Sequence, residues 1–129
     1  MKKVLITGGA GYLGSVLAEV LLNKGYQVTA LDNLSYKQTS VAPFVYNKNF
    51  KFILGDVRDV STLKPLVKTH DVIIPLAAIV GMPACKANPQ SAIDINYIQV
   101  KNIVDWVSKD QMVMIPNTNS QYGSSTEII

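Results

Sequence analysis

The sequence predicts an α/β fold, a doubly wound parallel sheet of about five strands in the order 3-2-1-4-5 with helices on both faces. Three observations predict it. Short, nearly continuous runs rich in Val and Ile alternate with segments of helical period, the pattern of parallel strands covered on both faces and joined by crossover helices. A glycine-rich turn separates the first such run from the first helical segment. The length of 129 residues, 48% hydrophobic and 16% charged, suits a single domain (residues 1–129) with one buried core.

Each element has its own signal. Residues 3–7 (KVLIT) read as the first strand. In residues 11–24, Leu13, Val16, Leu17, Val20 and Leu21 recur at steps of three and four, which predicts one apolar helix face ended by Gly25. Strands follow at 27–31 (QVTAL) and 51–54 (KFIL), separated by a loop from Asn33 to Asn49. A short helix over 60–69 has Asp59 placed to cap its first turn. The run 72–76 (VIIPL) is a strand that Pro75 brings to its end. Residues 91–109 predict a longer amphipathic helix through Ile95, Ile98, Val100, Ile103, Val104 and Val107, before a fifth strand at 112–116. The polar tract 117–129 reads as loop.

Composition removes several function classes. A net charge of +3 with scattered lysines lacks the footprint of a nucleic-acid binder. One cysteine, Cys85, and one histidine, His70, make neither a disulfide nor a zinc-type ligand set. Cys85 reads as a small buried filler, and His70 as a cation at a helix C-terminus. The apolar start is too short for a secretory signal, and the uncharged stretch Val72–Cys85 is too short to span a bilayer. A cytoplasmic protein with no membrane partner is expected.

The chemistry begins at Gly8-Gly9-Ala10-Gly11-Tyr12-Leu13-Gly14, directly after the first strand. Unpaired N–H groups at a helix N-terminus, favoured by the helix dipole, hold a pyrophosphate, and a side chain in the turn would keep it away. No Gly-Lys-Ser or Gly-Lys-Thr follows, so the turn reads as a dinucleotide site and not a nucleoside-triphosphate loop. Eighteen positions after Gly14 stands Asp32. A carboxylate there accepts hydrogen bonds from the ribose hydroxyls of the adenosine and repels a 2′-phosphate, so NAD is favoured over NADP.

Together with Asp32-Asn33-Leu34-Ser35, Gly55-Asp56-Val57-Arg58-Asp59, Leu76-Ala77-Ala78, Asn96 and Tyr122-Gly123, this turn resembles the extended short-chain dehydrogenase/reductase family, the NAD-dependent sugar-nucleotide epimerases and dehydratases. The resemblance covers nearly the whole chain and implies a Rossmann-type domain. By resemblance, Gly8, Gly11, Tyr12, Leu13 and Gly14 hold the pyrophosphate, and Asp32 with Asn33 meets the adenosine ribose. Asp56 and Val57 meet the adenine, and Leu76, Ala77 and Ala78 line the central part of the cofactor. Departures are Pro75 where the family often has His, Tyr36-Lys37-Gln38 where a glycine is usual, and Asn96-Tyr97-Ile98-Gln99-Val100 where Asn-x-x-Gly-Thr is frequent.

For catalysis the resemblance implies Thr118, four positions before Tyr122, as the hydroxyl that orients the reacting substrate oxygen. Asn119 and Ser120 stand where dehydratases carry acidic groups, which favours an epimerase-type reaction. The family's Tyr-x-x-x-Lys pair is absent after Thr118, and Tyr97…Lys101 precedes it and reads as a coincidence of helical spacing. The expectation is therefore the first part of a larger enzyme, inactive alone, whose parent takes a nucleotide sugar. A non-catalytic NAD-binding module and an interaction fragment with a vestigial site are the alternatives. An open fifth strand and uncovered helix surface predict a homo-oligomer.

Overall fold

The computed structural model describes residues 1–118. Strands β1 (Lys3–Thr7), β2 (Gln27–Asp32), β3 (Phe50–Leu54), β4 (Val72–Pro75) and β5 (Met112–Val113) form one sheet in the order β3-β2-β1-β4-β5. Every pairing is parallel. The helices are α1 (Tyr12–Asn23), α2 (Val60–Thr69), α3 (Met82–Ala87), α4 (Pro89–Ile93) and α5 (Gln99–Trp106). A 3₁₀ turn, Ala42–Phe44, interrupts the loop after β2, and a π-helical stretch, Asp94–Ile98, joins α4 to α5.

Alternation along the strands divides the core in two. Val4, Ile6, Val28, Ala30 and Ile74 pack with Ala18 and Leu22 of α1 on one face. Leu5, Leu31 and Ile73 pack with Leu63 and Val67 of α2 and Ile103 of α5 on the other. Asp59 caps α2 as expected, its carboxylate accepting from the Ser61 N–H at 3.1 Å. Pro75 ends β4, and Gly25 follows α1 with φ +86°.

Three expectations need correction. The buried line of α1 is Gly14, Ser15, Ala18 and Leu22, with Leu17 and Leu21 on its flank, while Leu13, Val16 and Val20 are exposed. Close approach of helix to sheet requires small residues on the contact line, so the large apolar ones mark its border. The helical segment around 91–109 is broken in phase by the π-helical stretch, which widens one turn. Ile98 and Val104 consequently point to solvent, 38% and 49% exposed, and the buried positions are Gln99 and Ile103. His70 is buried, with Nε2 2.8 Å from the Thr29 hydroxyl and Nδ1 2.7 Å from the Leu66 carbonyl. Burial, with the positive charges of Lys3 and Lys51, pushes its pKa down. It is a neutral tie between α2 and β2 and not a helix-terminal cation.

Candidate functional site

The carboxyl ends of the strands open into one cleft of about 950 Å³. Topology dictates its place. Strand β1 lies between β2 and β4; the chain leaves β1 toward the α1 face and leaves β4 toward the face of α5. Diverging connections leave a crevice at that switch in strand order.

The turn after β1 forms its floor. Gly8 has φ +69°, and a Cβ there would stand 2.6 Å from the amide nitrogen of Ala77. A Cβ on Gly14 would stand 2.6 Å from the Gly8 carbonyl oxygen. The first turn of α1 therefore sits directly on the residues that precede it. Gly11 is its N-cap, with no side-chain cap and no acidic residue in the first turn. The amides of Tyr12, Leu13 and Gly14 have no carbonyl within the helix to donate to. They belong to residues that line the cleft, which suits them to an external anion.

Asp32 binds this turn to the segment after β2. One carboxylate oxygen accepts from the Ala10 N–H at 3.0 Å, the other from the Leu34 N–H at 2.8 Å. Each oxygen keeps a lone pair for a further donor, and Asp32 borders the cleft. Asn33 accepts from the Ser35 N–H at 3.0 Å and donates to Asp56 at 3.3 Å. Leu34 and Lys37 take φ of +55° and +53°, so this segment carries its bend on ordinary residues where a glycine would be unstrained.

All the expected cofactor residues line the cleft except Asp56. Its carboxylate accepts from the Arg58 N–H and Nε at 2.9 Å, from Nη2 at 2.6 Å, and from Asn33. The Arg58 hydrogen bond holds the carboxyl at a pKa of about 2. An acceptor role toward adenine thus requires Asp56 to release a bond it already makes, of which Asn33 is the longest. The cleft wall here is Val57 and Arg58.

Leu76, Ala77 and Ala78 border the cleft, with much of their backbone already paired. Leu76 N–H donates to the Thr7 carbonyl at 3.0 Å, and Ala77 N–H to the Thr7 hydroxyl at 3.3 Å. The Gln99 amide donates to the Ala77 carbonyl at 2.6 Å. Asn96 holds Ile79 by both of its backbone groups, each at 2.8 Å. In the sequence, Thr7 heads the glycine motif, Arg58 lies within Gly55–Asp59 and Gln99 within a segment that departs from the family pattern, but none of the three was given a role at the cleft. The signal for Gln99 was a long polar side chain on a helix face otherwise built from aliphatic residues.

Thr118 is exposed and does not line the cleft, whose wall on the β5 side is Ile115 and Pro116. Asn119, Ser120, Tyr122 and Gly123 lie outside the described residues. Lys101 is held by Asp105 at 2.6 Å. Cys85 is half-buried, its thiol 3.4 Å from the Ile79 carbonyl. Among the described residues no helix is long and apolar enough to cross a membrane.

Known proteins match this arrangement. The profile of the NAD dependent epimerase/dehydratase family matches residues 4–129. A UDP-N-acetyl-alpha-D-glucosaminuronate decarboxylase of Bacillus cytotoxicus is 36% identical over 97% of this chain and 39% of its own length. A dTDP-glucose 4,6-dehydratase of Streptomyces niveus is 28% identical over 97% of this chain and 40% of its own. The UDP-glucuronic acid 4-epimerase of Bacillus cereus, solved with UDP-glucuronic acid and NAD, superposes with a TM-score of 0.84. It is 26% identical, and the match covers 98% of this chain and 43% of that one. The chain thus spans about two fifths of the length of these relatives.

Proposed function

Because the chain belongs to the NAD dependent epimerase/dehydratase family, we propose that it is the NAD-binding portion of an enzyme that acts on a nucleotide sugar. The uncapped first turn of α1, seated on Gly8 and Gly14 beside Asp32, carries this reading. When bound, NAD supplies hydride transfer at a sugar carbon. The residues of this chain bind and orient it. Amides of Tyr12 and Leu13 face the pyrophosphate, the open lone pairs of Asp32 take the adenosine ribose hydroxyls, and Val57 and Arg58 border the adenine. Leu76, Ala77 and Ala78 flank the centre of the cofactor. Like charge at Asp32 disfavours a 2′-phosphate, so NAD is preferred to NADP.

In the whole protein, Thr118 orients the reacting oxygen. Asn119 and Ser120, which carry no acid, support an epimerase-type reaction over a dehydration. The relatives named above act on nucleotide sugars by their printed names, which supports that substrate class. The half-buried thiol of Cys85 fits a reducing, cytoplasmic setting. The short strand β5, with Met112 exposed in it and Met114 and Ile115 exposed just after it, supports self-association.

Thermal melts with NAD and NADP test the reading. A ligand of the native state raises the melting midpoint as its concentration passes Kd. NAD should raise it by several degrees at saturation and NADP by less at equal concentration. No shift with either nucleotide, or a larger shift with NADP, would overturn it.

A further inference from the structure

We propose that Gln99 is a positioning residue that fixes the loop after β4 against the phosphate-binding turn, and thereby sets the affinity for the part of NAD beyond the adenosine diphosphate. This inference rests on the reading of the cleft as an NAD site. Gln99 is 1% exposed and opens α5 directly after the π-helical stretch. Its side chain closes a circuit of three residues. The Thr7 hydroxyl donates to the Gln99 carbonyl oxygen at 3.2 Å and accepts from the Ala77 N–H at 3.3 Å. The Gln99 amide nitrogen donates to the Ala77 carbonyl at 2.6 Å. Both backbone polar groups of Ala77 are therefore held, its N–H from β1 and its C=O from α5.

That peptide matters because of what it touches. The Ala77 nitrogen is the atom that a Cβ on Gly8 would meet at 2.6 Å. Ala77 is pressed onto the turn that carries the anion-binding amides, at the point where the sheet order switches between β1 and β4. Asn96, three residues before Gln99, grips Ile79 in the same loop. Two side chains from one irregular helical stretch thus hold alternate residues of a loop that lines the cleft. A buried glutamine needed only to satisfy itself has no cause to bridge β1 and the loop after β4.

The test separates the two parts of the cofactor. ADP engages the glycine turn and Asp32, whereas NAD also extends along Leu76, Ala77 and Ala78. In calorimetric titrations of the full chain, Gln99→Met keeps the volume of the side chain and removes both bonds. It should weaken NAD about five- to tenfold, the equivalent of one or two net hydrogen bonds, and change ADP less than about twofold. Thr7→Val breaks the same circuit from β1 and keeps the inference testable should Gln99→Met fail to fold. It should give the same split, and the double variant should lose little more than either single one. Equal loss of NAD and ADP affinity would make Gln99 a plain structural residue, and unchanged NAD affinity would remove it from the site; either result overturns the proposal. If the unaltered chain bound neither nucleotide, the NAD reading itself would fail.

Discussion

Gly14→Ala sets two effects of opposite sign against each other. Inside a helix, alanine is favoured over glycine by about 1 kcal/mol. Here the new Cβ would stand 2.6 Å from the Gly8 carbonyl oxygen and 2.8 Å from the Gly9 Cα, both backbone atoms. Reaching ordinary contact at 3.4 Å requires the start of α1 to retreat by about 0.8 Å. Overpacking of this kind costs roughly 1–3 kcal/mol, so the net loss of stability is at most about 2 kcal/mol and the chain should still fold. Binding should suffer far more. A shift of that size stretches a hydrogen bond of ordinary length beyond its range. Two anion-directed amide bonds, those of Tyr12 and Leu13, would be lost at roughly 1.5–3 kcal/mol each. Titration calorimetry with NAD should show a loss of about a hundredfold or more. Gly25→Ala is the control: φ is +86° and nothing lies within 4 Å of the added Cβ. It should cost about 1–2 kcal/mol of stability and leave the NAD Kd alone. A Gly14→Ala chain that binds NAD within threefold of the unaltered one would show that the first-turn amides do not hold the cofactor.

Other consequences are smaller. Lys37 sits at φ +53° with its N–H on the Leu34 carbonyl at 2.8 Å, so Lys37→Gly should relieve strain and stabilise by up to about 1 kcal/mol in chemical denaturation; a destabilised variant would contradict this. Burial holds the pKa of His70 below that of an exposed imidazole, so the unfolded chain takes up a proton first as pH falls. Stability should be full above about pH 6.5 and decline below it toward the folded pKa. Melting midpoints across this window should fall, and His70→Gln should flatten the fall; an unchanged slope would clear His70 of responsibility. Among the described residues β5 has no strand on its outer side, so the chain is expected to self-associate, and light scattering that reports a monomer at high concentration would exclude this.

The central strands β1, β2 and β4 were legible because burial on both faces leaves each a largely apolar run, and the sheet order follows from alternation with helices. The glycine turn was legible because its chemistry requires backbone at defined spacings. Side chains acting across the fold were less so. Gln99 meets Thr7, 92 positions away, and Ala77, 22 positions away, and no local pattern announces a contact made by topology. On the inner line of α1, Ser15 and Ala18 were missed because they are small for reasons of fit, and hydropathy periods weigh only the large residues beside them. Asp56 shows a third limit. Its place in the chain was readable, but Arg58, two positions later, folds back onto its carboxylate, and sequence spacing does not reveal which partner a carboxylate takes.

If NAD is held as proposed, its contacts fall on the first-turn amides of α1 and on the Asp32 carboxylate. Nuclear magnetic resonance tests it directly, since each backbone amide of this 14.1 kDa chain reports its own surroundings during a titration with NAD. The largest shifts are expected at Tyr12, Leu13 and Gly14, with accompanying shifts at Ala10 and Leu34, whose N–H groups rest on Asp32. Saturating shifts centred elsewhere, or none at the turn, would contradict it.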